Sequence, residues 1–424
     1  MSTEVGRCDI AIVGAGMVGL TLAAALADSE LSIKVIDSRA LDDQYTALAG
    51  EADARFDPRV SALTPASENI LRRVGVWPAM AALRVSPYRA MQVWDGEGTA
   101  AIRFDCAELH RPHLGHIVEN RVTVAALQQR AAVLPNVELM GGLTLGQLDT
   151  MLSPDDGALR QVLQLSDGSQ LQARLLVAAD GARSRTRALT GLGVSEWDYE
   201  QHAVVTTLVL EQSHQATAWQ RFTEDGPLAL LPLPTLSDGL QRVSLVWSTS
   251  PQRARELLAL DNAAFCQAIT MACEQRLGSI THTDARYSFP LTQRHAARYV
   301  KDGVALVGDA AHSIHPLAGQ GVNLGLLDAA TLAEEILDAQ QRGIDFSARA
   351  WLRRYQRRRQ GENLAMIGLM GGLKHLYGTV PPALQWLRNW GLDQVAGQLP
   401  LRQWLAARAT GIGSAAPALA RDPI

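Results

Sequence analysis

Residues 9–19 read DIAIVGAGMVG, and this stretch decides the fold. Ile10 to Val13 form an apolar run of the length of a buried strand. Gly14, Gly16 and Gly19 follow in GxGxxG spacing. Each glycine has its own task in such a turn. Gly14 permits the tight bend, Gly16 lets a pyrophosphate approach bare backbone, and Gly19 lets a helix lie close on the strand. The alanine-rich residues 21–26 continue as that helix. A second strand over 32–36 ends at Asp37, near the ~20-residue spacing at which a carboxylate meets ribose hydroxyls. Arg39 stands beside it as a candidate for the adenine or its phosphate. Together these features predict a dinucleotide site on a Rossmann-like α/β domain, with FAD and NAD both open at this point.

Working outward, residues 308–325 read GDAAHSIHPLAGQGVNLG. The preceding KDGVALV supplies a strand, and 324–337 a helix. Gly308 and Asp309 open the turn, and Pro316, Gly319, Gly321, Val322 and Asn323 lead into the helix. An acidic turn, a glycine loop and a helix N-terminus again offer backbone N–H groups to an anion. Between the two lies VAADGARSRTR at 177–187, where a strand ends in Asp180-Gly181. By itself that segment also reads as an ordinary strand–turn–helix with surface arginines. As one of three it belongs to a single large cofactor gripped at both ends.

The chain has 424 residues, 47% of them hydrophobic and 19% charged, with a net charge of −4. That is enough apolar material for a sizeable core, and the charge points away from a nucleic-acid partner. Cys8, Cys106, Cys266 and Cys273 show no CxxC spacing, which predicts reduced thiols in a cytoplasmic protein and no metal site. No signal peptide and no transmembrane stretch are expected. The basic run RRYQRRR at 353–359 reads first as a solvated helix face, and second as a patch for acidic lipid or a partner. AMIGLMGGLKHLYG at 365–378 reads as core or oligomer contact, with a membrane-surface or partner-binding helix as the sharper reading.

The three motifs together resemble the flavin-dependent aromatic hydroxylases of the para-hydroxybenzoate hydroxylase type, over nearly the whole chain. The wording GDAAHSIHPLAGQGVNLG resembles their ubiquinone-biosynthesis branch. Val93-Trp94-Asp95, HLGHIVEN at 113–120 and Trp197-Asp198-Tyr199 look most like the 2-octaprenylphenol hydroxylases, with the 2-octaprenyl-6-methoxyphenol hydroxylases as sisters.

The resemblance implies FAD as the cofactor, with Gly14, Gly16, Gly19 and Asp37 at its ADP end. Arg59 in DPRVSAL falls on a flavin-side arginine. Asn120 falls where relatives place a cofactor-contacting side chain, and Arg121 beside it competes for that role. Asp180 and Gly181 are implied in both FAD and NAD(P)H binding. Asp309 matches the aspartate bonded to the ribityl chain, Pro316 the proline beside the ring system, and Gly319, Gly321, Val322 and Asn323 the loop facing flavin N1 and O2. The implied chemistry is ring hydroxylation of a polyprenylphenol with O₂ through a flavin C4a-hydroperoxide, NAD(P)H acting as a transient reductant. No side-chain nucleophile is required, because the cofactor carries the chemistry. His312 and His315 are weak candidates for a base and equally readable as hydrogen-bonding supports of the loop.

The expected architecture is an α/β protein. A discontinuous FAD-binding domain takes 1–83, 118–190 and 290–345, a β-sheet substrate domain takes 84–117 and 191–289, and a C-terminal helical region takes 346–424. Other ubiquinone-biosynthesis proteins, peripheral contact with the inner face of the membrane and a homo-oligomer are the partner candidates. A prenyl-chain oxidoreductase of the same fold and a non-catalytic flavoprotein scaffold are the competing readings.

Overall fold

The strand Val5–Val13 is buried along its C-terminal half, from Ile10 onward on both faces. Such a strand lies inside a parallel sheet covered by helices on both sides. In the computed structural model, which describes residues 5–50, 55–95, 101–314, 320–377, 410–412 and 415–422, it does so. The eight-stranded sheet runs Val300–Lys301, Val304–Leu306, Gln170–Ala178, Val5–Val13, Ile33–Asp37, Val137–Gly141, with Leu159–Leu165 and Leu145–Leu152 attached at one edge. Its central pairings are parallel. The helix Met17–Ala25 lies on it, buried from Gly19 to Ala24, between the helices Asn120–Ala132 and Gln320–Gln341.

This register gathers the three motifs. The C-terminal ends of neighbouring strands are stitched by backbone bonds: Gly14 N–H to Ile36 O (2.7 Å), Ala179 N–H to Val13 O (2.8 Å) and Val307 N–H to Ala178 O (3.0 Å). Gly14, Asp37, Asp180 and Gly308 therefore stand side by side at one edge of the sheet, where open α/β sheets bind ligands.

A nine-stranded sheet stands beyond it. Its order is His312–Ser313, Tyr287–Ala296, Val194–Leu210, Gln241–Thr249, Gly226–Pro232, Thr217–Thr223, Ala90–Asp95, Ala101–Asp105, with Ile280–Thr283 paired to Val194–Leu210. Strands near residue 95 and beyond residue 194 thus share one sheet. The helices Pro251–Ala259 and Asn262–Ala272 bury Leu257, Phe265 and Ile269 against its face, over Val204, Leu208, Leu245 and Trp247. Asp261 caps the second helix, its carboxylate accepting from Ala264 N–H at 2.8 Å. A smaller three-stranded sheet, Val60–Leu63, Gly115–Glu119 and Ser86–Tyr88, lies between the two.

The basic run is the expected solvated face only in part: Arg353 and Arg357 are exposed, and the other arginines turn to partners. It lies on the helix Arg349–Tyr377, and that helix packs on Gln320–Gln341. Arg354 pairs with Glu335 (2.6 Å) and Asp338 (3.3 Å), Arg358 with Glu335 (2.9 Å), and Arg359 is buried against Asp328 (2.8 Å). The acids lie on a separate helix, so a reading of residues 353–359 alone misses them. Of the apolar stretch 365–378, the described part continues this same helix, and none of the described helices is long and apolar enough to cross a membrane. Gly378 and the Pro381-Pro382 pair, residue types that interrupt a helix, lie outside the described residues.

The last described residues return to the helix Pro65–Arg73. Ala66 N–H bonds Thr410 O at 3.1 Å, Asn69 bonds Ala420 O at 3.1 Å, and Arg111 pairs with Asp422 at 2.5 Å.

Candidate cofactor cleft

Gly14 has φ 113°, and a Cβ there would lie 2.4 Å from the carbonyl oxygen of Ala179. A Cβ on Gly19 would lie 2.1 Å from the Gly14 carbonyl oxygen. Both positions demand glycine for the chain's own packing. Gly16 differs: no atom lies within 4 Å of the Cβ it lacks. It is the N-cap of Met17–Ala25, where no side chain caps the helix and no acidic residue stands in the first turn. An uncapped helix N-terminus behind an open backbone suits an anion.

Asp37 ends the neighbouring strand and is 8% exposed. One carboxylate oxygen accepts from Ala15 N–H at 2.8 Å, the other from Arg39 N–H at 2.9 Å and Arg39 Nε at 3.1 Å. Burial would raise this carboxyl; the hydrogen bonds from Arg39 and Ala15 together hold it below its ordinary range. Asp37 therefore braces the glycine turn, and Arg39 is held beside it.

Asp180 accepts from the Ser184 hydroxyl and from Thr186 N–H (3.0 Å). Gly181 is at φ 83°. Arg187, 6% exposed, donates to Ala310 O at 2.9 Å and Ala182 O at 3.2 Å, so the middle motif is tied to the Gly308–Asp309 turn. Gly308 itself is at φ 57°.

These turns enclose a cleft of about 330 Å³ lined by Gly16, Met17, Ser61, Asn120, Gly181, Asp309, Ser313, Gly321 and Val322 among others. Asp309 is exposed to it, yet protein crowds the carboxyl on its other sides; the resulting desolvation raises its pKa, opposed by His312 and Arg294. No atom lies within 4 Å of a Cβ on Gly321. The Ser313 hydroxyl is buried and has no hydrogen-bond partner among the described residues. An open Gly16, an open Gly321 and an orphaned hydroxyl on one cleft fit a long ligand with an anionic middle.

The other expected residues fall into three groups. Asn120 lines the cleft and accepts from the Ser61 hydroxyl at 2.6 Å, whereas Arg121 turns to Glu119 (2.9 Å) and the Arg55 carbonyl. Arg59 is exposed, 6.0 Å from the Phe289 ring of the nine-stranded sheet. Asn323 is 2% exposed, and its amide is committed to Thr64 N–H (3.0 Å), Ser67 Oγ (2.7 Å) and Ala62 O (2.8 Å), fixing the start of its helix. His312 is fully buried and bonded to Asp328 at 2.5 Å, away from the cleft. His315, Pro316 and Gly319 lie outside the described residues.

Two other polar sites stand apart. A cleft of about 390 Å³ is lined by Arg55, Asn262, His282, Asp284 and Arg286, with no glycine loop. Arg286 there is bonded to Leu260 O at 2.7 Å and Leu257 O at 3.2 Å. Glu68, His113 and His116 also meet, with one Glu68 oxygen 2.8 Å and 3.2 Å from the two rings and the other 2.6 Å from Arg72. The half-exposed Arg72 gives this buried carboxylate a cationic partner from the surface side, and the cluster reads as an ion-paired brace between the helix Pro65–Arg73 and the strand Gly115–Glu119.

Residues 7–361 match the sequence model of the FAD binding domain family. The chain belongs to that family. It is an FAD-dependent monooxygenase, and several of its relatives are named as hydroxylases or monooxygenases. It is 40% identical to the 3-demethoxyubiquinol 3-hydroxylase of Escherichia coli, covering 91% of this chain and 93% of that one. It is 36% identical to the human mitochondrial ubiquinone biosynthesis monooxygenase COQ6, covering 95% and 92%. The solved p-nitrophenol 4-monooxygenase PnpA of Pseudomonas putida superposes with a TM-score of 0.72 at 20% identity, over 96% of this chain and 98% of that one, which shows the shared fold.

In this monooxygenase the sequence reading passed over Ser61, Ser313, Asp328 and Arg359, and left Arg187 among surface arginines. Ser61, inside the short strand Val60–Leu63, and Ser313, in the two-residue strand His312–Ser313, carry no local signal beyond being polar. Arg187 and Arg359 sit in arginine-rich runs that look like surface, and only tertiary partners distinguish the buried member of each run.

Proposed function

We propose that this monooxygenase hydroxylates the aromatic ring of a polyprenylphenol intermediate of ubiquinone biosynthesis, with NAD(P)H as reductant and O₂ as co-substrate. The observation that carries the reading is the 40% identity to a ubiquinone-pathway hydroxylase along nine-tenths of the chain. FAD, when bound, supplies the electron transfer and the oxygen activation. The chain's own part is to bind, orient and exclude water. Gly14, Gly16 and Gly19 with Asp37 and Arg39 hold the ADP end. Asn120, Arg59, Asp180, Gly181, Gly308 and Asp309 hold the ribityl and ring end. The N–H groups of Gly321 to Asn323, at a helix N-terminus, stabilise negative charge on the ring system.

The substrate lies between the cleft and the nine-stranded sheet, and its prenyl chain brings the protein to a membrane surface peripherally. On local motifs the step is the first hydroxylation of the polyprenylphenol. A later step is favoured by the E. coli relative, whose name specifies 3-demethoxyubiquinol.

Quinone extracts from cells lacking the chain decide between them. Accumulated polyprenylphenol without ring oxygen beyond the phenol supports the first hydroxylation. Accumulated demethoxyubiquinol assigns the later one. An unchanged quinone profile rejects the proposal.

A further inference from the structure

We propose that Asp328 is a positioning residue for the cofactor: from behind the cleft it fixes the Gly308–Ser313 loop, and Arg359 of the C-terminal helix sustains its charge. The inference rests on the cleft holding FAD. Asp328 lies on the helix Gln320–Gln341, fully buried. One of its oxygens accepts from Gly308 N–H at 3.1 Å and meets His312 Nε2 at 2.5 Å. The other accepts from Arg359 Nε at 2.8 Å and Asn363 Nδ2 at 3.3 Å. A single carboxylate thus holds both ends of the five-residue turn 308–312. The residue that this turn presents to the cleft is Asp309.

The carboxylate is not there as a convenient core filler. Burial would push its pKa up, and the His312 ring and the Arg359 guanidinium outweigh that and keep it low. Arg359 is 2% exposed and adds bonds to Leu324 O (3.4 Å) and Asn363 Oδ1 (3.0 Å). A buried ion pair is often replaceable by apolar residues without loss of stability, so a purely structural need does not demand one here. What apolar residues cannot supply is the acceptor for Gly308 N–H. Gly308 is at φ 57°, and its N–H lies in the Val307–Gly308 peptide, so this bond fixes the peptide by which the chain enters the turn that carries Asp309. The same loop then pairs with the nine-stranded sheet, His312 opposite His295 and Ser313 opposite Arg294. Asp328 therefore fixes Asp309 relative to both the glycine turn and the sheet beyond it.

Two double variants separate positioning from stability. Asp328→Leu/Arg359→Met and Asp328→Asn/Arg359→Met both delete the ion pair, and only the asparagine can still accept from Gly308. The readouts are FAD titration of the stripped apoprotein by flavin fluorescence, and thermal unfolding of the same apoprotein. The expected result is similar melting temperatures, with the leucine variant binding FAD on the order of tenfold more weakly than the asparagine variant. If the leucine variant does not fold, Asp328→Ser/Arg359→Met, too short to reach Gly308, replaces it with the same expectation. Equal FAD affinity in the paired variants, or affinity that simply follows melting temperature, overturns the proposal. A wild-type apoprotein that takes up no FAD sinks the functional reading itself, and that result is visible before any variant is made.

Discussion

Gly14 and Gly16 stand two residues apart and answer to different demands. Gly14 is closed in by the Ala179 carbonyl at a φ of 113°, so Gly14→Ala strains the protein's own backbone. The expected cost is roughly 3 kcal/mol, read from urea unfolding of the apoprotein. Gly16 has extended backbone and open space where a Cβ would stand. Gly16→Val should leave apoprotein stability within about 0.5 kcal/mol of wild type while weakening FAD binding more than about tenfold. Equal losses of stability in both variants would contradict this division. The demand at Gly14 was legible in the sequence because a turn's backbone geometry is local. Asp328 and Arg359 were not, because their meaning is a contact across 31 residues. Another residue-scale pairing carries a pH signature. Burial favours the neutral Glu68 carboxyl, but its bonds to His113, His116 and Arg72 hold the pKa far below the ordinary value of 4.5. The unfolded chain then binds more protons than the folded one below that value, so stability present above it is lost as pH falls. Glu68→Gln should flatten the decline of unfolding free energy below pH 4.5 measured in a urea series; parallel curves for variant and wild type would refute the assignment.

At the level of elements, the chain's strands were readable where one rule governs them. The stretch Ile10–Val13 is continuously apolar because helices cover both faces of the sheet there, and Gln241–Thr249 carries its apolar residues into the helix-covered core. The strand His312–Ser313 escaped that reading: two residues have no period, and the pairing to Tyr287–Ala296 exists only once the loop is folded. In the run 353–359 the solvated face is Arg353 and Arg357, while the ion pairs of Arg354 and Arg358 were not legible since their acidic partners are on another helix. Elements remote from the cleft should fail independently of it. Asp261 caps Asn262–Ala272 through Ala264 N–H, on the outer side of the nine-stranded sheet's core. Asp261→Ala is expected to lower stability by about 1 kcal/mol with FAD affinity unchanged, by calorimetry and fluorescence titration. A matching loss of FAD affinity would mean the cap and the cleft are mechanically coupled.

Across the whole molecule, the cleft is assembled from segments far apart in the chain: Gly16 to Val18, Ser61, Asn120, Ala179, Gly181, then Val307, Asp309, Ser313 and Ile314, and Gly321 to Val322. They come from several different elements and loops, and the parallel register of the eight-stranded sheet brings most of them to one edge. A ligand touching all of them binds only the folded chain, since no unfolded conformation presents them together. Its binding free energy then adds to folding as RT ln(1 + [L]/Kd), about 2.7 kcal/mol at a hundredfold excess over Kd. Thermal unfolding of the apoprotein should therefore shift upward continuously with added FAD, and both sheets should shift together because His312–Ser313 belongs to the larger of them. Two separate transitions, with only one moving, would show that this two-residue strand does not couple the sheets. A single transition indifferent to FAD would show that the cleft is not where the cofactor's binding energy enters the fold.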